Sequence, residues 1–213
     1  MKYHWISTLI AFAIGVIYYK SIKYRFKYIF FFVLFGVFTE LSTKIITFFW
    51  IKNTMPVGHF YIPISLLILT VFYSNELKGY IPKNLLIGLI SSFLLFCLIN
   101  EIFIQSIFDF PNLTGSIAAI ILLLFSILLF SKIMLEAKIK KLTREPLVWI
   151  NTGVLLYYSA NLFFYALFDY SLKFSTDFTL FTILIFSVFN VVFYILISIG
   201  FIKTKNLKTS GSK

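Results

Sequence analysis

Glu40 and Lys44 stand four residues apart inside the long apolar run Tyr28–Ile51. An ionisable side chain in such a run costs at least a few kcal/mol and turns to a bundle interior or a water-filled cavity. Glu followed by Lys at i+4 is the favourable order for a pair on one helical face. Gly36, Thr43 and Thr47 fall on the same stripe. Two chemistries fit: a carboxylate that binds a ligand or handles a proton, or a self-neutralised structural ion pair. The spacing alone does not separate them.

Other polar residues recur inside apolar stretches. His59 and Tyr61 open one stretch, and Cys97, Glu101 and Gln105 share an i, i+4 stripe beside Asn100. Tyr157, Tyr158, Asn161 and Tyr165 share a face, as do Ser187, Asn190 and Tyr194. We take Glu40, Lys44, His59, Tyr61, Asn100, Glu101, Tyr158, Asn161, Tyr165 and Asn190 as the candidate ligand-binding set, a polar-aromatic cavity in the outer half of a bundle. The plainer explanation is interhelical hydrogen bonding, at about 0.6 kcal/mol per bond, with Tyr and Trp as interfacial anchors. For His59 alone, an interfacial position is expected.

Several chemistries are excluded. A retinal Schiff base needs a lysine deep in the last apolar run, and Thr176–Ile202 has none. Two histidines, His4 and His59, make bis-histidine haem improbable, and there is no phosphate-cradling Gly-rich loop, HExxH or GxSxG motif. Glu40 and Glu101 are the only candidate carboxylate dyad, at depths that differ by about 7 Å from the helical rise. No catalytic residue, metal site or cofactor is expected.

The elements that position these residues follow from composition. The chain has 213 residues, 60% hydrophobic and 13% charged, 28 of them Phe, with mean hydropathy +0.95. Soluble domains are about 25% charged, so a soluble enzyme is excluded. The apolar runs are continuous over ~20 residues, which fits spanning helices rather than the alternating strands of a barrel. We expect an all-α polytopic bundle of seven spans: Tyr3–Tyr19, Tyr28–Ile51, Pro56–Ser74, Asn84–Gln105, Asn112–Leu135, Pro146–Tyr170 and Thr176–Ile202. Pro63 should kink the third. The first is read as a retained helix rather than a cleaved signal. Residues 1–205 form the transmembrane domain and 206–213 a disordered cytoplasmic tail. With these spans, 15 basic residues fall on one side and 3 on the other. The positive-inside rule then puts the N-terminus outside and the C-terminus in the cytoplasm.

The segments His59-Phe60-Tyr61-Ile62-Pro63, Asn100 to Pro111 (NEIFIQSIFDFP) and Pro146 to Tyr165 (PLVWINTGVLLYYSANLFFY) resemble a group of uncharacterised small bacterial seven-helix integral membrane proteins. These are often encoded next to membrane-bound sensor histidine kinases. The resemblance covers most of the chain in order and is most specific in the sixth span. That group's pattern has acidic residues where this chain has Ser65 and Ala118. The resemblance implies a sensory or regulatory role in a bacterial cytoplasmic membrane, by association only.

Three functions therefore compete. The leading one is a sensory or regulatory module with an outward-facing cavity for a small amphiphilic ligand. It would signal through a separate partner, such as a membrane histidine kinase, because no soluble effector domain is expected within these spans. The alternative is a small transporter or channel using Glu40 and Lys44. A lipid-modifying membrane enzyme comes third, since no nucleophile, base and oxyanion site can be assembled. The bilayer is the one certain partner in all three; nucleic acid is not expected, and oligomeric state is left open.

Overall fold

The computed structural model describes residues 5–49, 53–136 and 141–209, and they form helices joined by short turns, with no strand among them. The helices are α1 (Trp5–Tyr18), α2 (Lys27–Phe48), α3 (Met55–Glu76), α4 (Lys83–Ile99), α5 (Asn112–Glu136), α6 (Pro146–Phe174) and α7 (Thr176–Thr209). From α2 onward, all six are long and apolar enough to cross a bilayer. The first is shorter: 14 α-helical residues extended by a 3₁₀ turn to Ser21. Its α-helical part rises about 21 Å, against an apolar thickness of ~30 Å.

Prolines and glycine set the boundaries where the sequence places them. Pro56 and Pro146 occupy first-turn positions, where a missing N–H costs nothing. Gly79, at φ +87°, makes the left-handed turn between α3 and α4. Pro63 sits within α3, which continues as one helix through it. The last helix runs on to Thr209; 210–213 lie outside the described residues, as do Tyr3 and Ile51 of the expected spans.

The packing order differs from the chain order. Neighbouring pairs are α1–α2, α2–α3, α3–α5, α5–α6, α6–α7 and α7–α1, which closes a ring of six helices. α4 stands outside that ring and packs chiefly on α3. Leu85, Ile87, Leu95 and Leu98 accordingly remain about 60% exposed on α4, and would face lipid.

Two polar clasps hold the lysine-rich half. At the lysine-rich end, Arg25 donates to the buried Glu76 carboxylate at 3.0 Å. Lys132 donates to the Glu76 carbonyl at 2.6 Å and lies 3.8 Å from Glu136. Deeper in the same half, Tyr73 donates to Asn151 Oδ1 at 2.7 Å, and Asn151 Nδ2 donates to the Ser126 carbonyl at 3.0 Å. The Ser126 hydroxyl returns a bond to the Asn151 carbonyl at 3.2 Å. All three residues are fully buried, so this node joins α3, α5 and α6 away from water and lipid.

Candidate functional site

The interior of the six-helix ring is where the polar residues converge. α6 supplies Tyr157, Tyr158, Asn161 and Tyr165; α3 supplies Tyr61 and Ser65; α5 supplies Gly115, Ala118 and Leu122; and all of these line one small cavity. Tyr61, Tyr158, Asn161 and Tyr165, four of the residues marked in the sequence, meet here. The space open to a water-sized sphere is about 20 Å³, room for one water by the usual threshold of roughly 10–15 Å³.

Aromatic side chains shape the walls. Tyr157 stacks on Phe193 of α7, with centroids 4.4 Å apart and planes 9° apart. Tyr61 stacks on Phe35 of α2 at 5.6 Å and 6°. Two glycines admit the rings. A Cβ on Gly115 would lie 2.5 Å from Tyr165, and one on Gly36 would lie 2.8 Å from the Tyr194 hydroxyl. At each place the absence of a side chain lets a tyrosine reach a neighbouring backbone.

Around the cavity, hydrogen-bonding capacity goes unused. Ser65 Oγ, Thr8 Oγ1 and Asn190 Oδ1 are buried without a well-formed hydrogen bond, each within bonding reach of one tyrosine: Ser65 of Tyr61, Thr8 of Tyr194 and Asn190 of Tyr157. Asn161 spends one N–H on the Tyr157 carbonyl of its own helix, at 2.9 Å. Buried polar groups in native proteins are nearly always satisfied by protein, water or ligand, and here the tyrosine hydroxyls are the protein groups within reach. Asn190 and Glu40 border the same region rather than the cavity itself: Asn190 lies within hydrogen-bonding reach of Tyr157, and Glu40 within electrostatic reach of Tyr157 and Tyr194.

The Gly36–Glu40–Lys44 stripe does not stay on one environment. Gly36 is buried, Glu40 and Thr43 are half-buried, and Lys44 and Thr47 are exposed from the bundle. Lys44 places its ammonium 3.0 Å over the ring of Trp5 on α1, a cation–π contact that the i+4 spacing did not suggest.

His59, Asn100 and Glu101 form a second cluster, at the lysine-poor end. Residues Asn100–Ile104 make a π-helical turn, closed by Gln105 N–H donating to the Asn100 carbonyl at 2.7 Å. Such turns are wider than α and often lie at functional sites. Asn100 is fully buried, and Glu101 Oε1 lies 3.4 Å from His59 Nδ1. That contact lacks hydrogen-bond geometry, leaving Nδ1 without a bond, whereas Nε2 lies 3.0 Å from the Asp109 carbonyl. His59 is 2% exposed. The 105–111 connection folds over its ring, through the Asp109 carbonyl. Gln105 donates to the Phe110 carbonyl and to Asn112 Oδ1, and Asn112 in turn donates to Asp169 of α6. Phe110 packs against Phe164, Tyr165 and Phe168, with centroids 5.5, 5.5 and 4.3 Å away. This connection thus covers the end of the helix pair whose Tyr165 and Gly115 line the cavity.

Sequence inspection missed the Tyr73–Asn151–Ser126 node and the Arg25–Glu76–Lys132 clasp. A lone Asn at 151 among apolar neighbours was the available signal for the first. No group of three His, Cys, Asp or Glu residues that could hold a metal occurs among the described residues.

Fold and site together define a membrane-type helical bundle with a polar, aromatic-walled interior. No protein-family model, curated protein or solved structure matches this chain, so the geometry alone carries the functional argument.

Proposed function

We propose that this protein is a sensory or regulatory module of a bacterial cytoplasmic membrane, and that its ring interior binds a small amphiphilic ligand. One observation carries the proposal: Tyr61, Ser65, Tyr157, Tyr158, Asn161 and Tyr165 converge on a void between α3, α5 and α6 inside an otherwise apolar bundle. The void holds about one water, so any larger guest must spread the helices. Binding and helix movement are then one equilibrium, since a ligand shifts a protein toward the state it binds better. That coupling is what a sensor requires.

In this proposal all seven helices cross the bilayer, with the N-terminus outside and the C-terminus in the cytoplasm. The lysine-poor end, with Phe110 over it, is the entrance. The helix shift reaches a separate effector chain, such as a membrane histidine kinase, through the basic turns of the opposite end.

The test is what the protein carries. Wild type and Asn161→Leu should be purified in nanodiscs and their extracts compared by untargeted mass spectrometry. Asn161 bonds only within its own helix, so its replacement should shift stability by less than about 1 kcal/mol while a bound small molecule is lost. Identical extracts from two well-folded proteins would refute a ligand site in the ring. A second proposal, proton-coupled transport, is favoured by the nearness of Glu40 to Tyr157 and Tyr194. It requires solute flux in liposomes that Glu40→Gln abolishes; saturable binding without flux supports the sensor.

A further inference from the structure

α4 is the helix left outside the ring, and its junction with α3 holds two depressions that adjoin one another. The first, about 550 Å³, lies at the α3–α4 turn and is lined by Lys78, Gly79 and Lys83 among others. The second, about 410 Å³, continues from it along the helices between α2, α3 and α4, and shares Ser74, Asn75, Lys83 and Leu86 with the first. Both volumes are in the range of small-molecule sites, roughly 300–1,000 Å³.

The two halves differ chemically. At the turn, Lys78 and Lys83 are exposed, and neither ammonium is held in an ion pair among the described residues. The N-terminus of α4 opens here without a side-chain cap, so its free N–H groups and positive dipole end favour an anion. Farther along, the groove is walled by Leu67, Val71, Ile87 and Ile90, with Tyr28 and Ser91 also on its lining. Thr70, 5% exposed, leaves its Oγ1 without a partner while lining the groove. From Lys83 to Ile90 the groove runs about 10 Å along α4, from the helical rise.

We propose that this composite hollow binds an anionic glycerophospholipid. The phosphate sits between Lys78, Lys83 and the α4 N-terminus, and an acyl chain lies along the α3–α4 groove. Charge complementarity selects the headgroup, and the apolar groove selects a lipid over a soluble phosphate. The site is distinct from the ring interior and independent of which way the protein faces. It also explains how a helix that packs chiefly on one neighbour is held: the lipid supplies the missing side of α4.

The test uses the full chain in detergent, with native mass spectrometry and a stated probe, dioleoyl-phosphatidylglycerol, against dioleoyl-phosphatidylcholine and glycerol 3-phosphate. Wild type should retain phosphatidylglycerol selectively. Lys78→Gln/Lys83→Gln should weaken retention about 30-fold, from the usual gain per basic residue at a lipid surface. Because both lysines are exposed and unpaired, this variant should unfold at the wild-type temperature when both are stripped of lipid, and only the wild type should gain stability from added phosphatidylglycerol. Ile90→Trp, which fills the groove and leaves the lysines intact, should also expel the lipid. Equal retention of the two phospholipids, or retention indifferent to the lysine pair, would overturn the proposal. So would binding of glycerol 3-phosphate as tight as that of the lipid. A chain that dimerises through α4 without holding lipid would make the face a contact between copies and overturn it equally.

Discussion

The Tyr73–Asn151–Ser126 node should be worth more as a unit than as separate bonds. Tyr73→Phe keeps the ring and its packing, but strands Asn151 Oδ1 in a fully buried site. An unsatisfied buried acceptor costs about 1–3 kcal/mol, and interhelical bonds in membranes reach at most about 1.7, so a loss of about 1–1.5 kcal/mol is expected. Asn151→Leu removes two bonds, one accepted from Tyr73 and one donated to the Ser126 carbonyl, and strands the phenol. About 2–3 kcal/mol should be lost. In the double variant neither partner is left stranded, so its cost should stay near that of Asn151→Leu alone. The coupling energy is then about 1 kcal/mol. Reversible unfolding in mixed micelles, titrated with a denaturing detergent, measures all four corners of the cycle. Additivity within about 0.3–0.5 kcal/mol would refute the node. Asn151 lies seven residues, about 10 Å of helix, from Tyr158 of the cavity, so Tyr73→Phe should leave the co-purified ligand in place.

Other outcomes follow from particular contacts. Gly115→Ala forces Tyr165 to move, because the new Cβ would lie 2.5 Å from its ring. Thermal unfolding should show a loss of about 1–3 kcal/mol, which Tyr165→Leu restores and Tyr165→Phe does not. His59→Leu removes the contact with the Asp109 carbonyl; amide hydrogen exchange should speed up across residues 105–111 and stay unchanged in α6 and α7. Single cysteines at Asn53, Ser106 and Ser175, in a Cys97→Ser background, should react with an impermeant thiol reagent from outside the cell. Those at Lys23, Tyr80 and Thr143 should not; all six positions are exposed, and the opposite pattern would reverse the proposed topology.

What was legible in the sequence has a physical limit in the solvent. Continuous apolar runs bounded by Pro, Gly and Asn reveal helices because a bilayer demands ~20 apolar residues per crossing. Which helices neighbour one another is not written there, since faces toward lipid and toward protein are both apolar. Nothing in Asn84–Gln105 says that α4 stands outside the ring. Tyr158, Asn161 and Tyr165 were found because polar residues at helical spacing in an apolar run must meet protein or water. Lys44 was assigned to Glu40 by spacing, yet its contact is with Trp5 of another helix, which no local rule foresees. His59 reads as interfacial because it opens a span; its burial depends on the 105–111 connection, whose path is set by Gln105 and Asn112.

The account stands on the ring interior being a place that water and a guest can enter. Ser65 lines that cavity, while its neighbour Ile64 is 37% exposed on the outside of the ring, so the two positions differ in environment and not in depth. In a Cys97→Ser background, Ser65→Cys and Ile64→Cys should be compared for reaction with a small water-borne thiol reagent added at the lysine-poor end of the protein in nanodiscs. Thiols react as thiolates, which form in a wet cavity and not in lipid. The account predicts that Ser65→Cys reacts at least about tenfold faster, by the advantage of hydration, and is protected by the ligand that co-purifies. Reaction no faster than that of Ile64→Cys would contradict it and leave a dry, structural core.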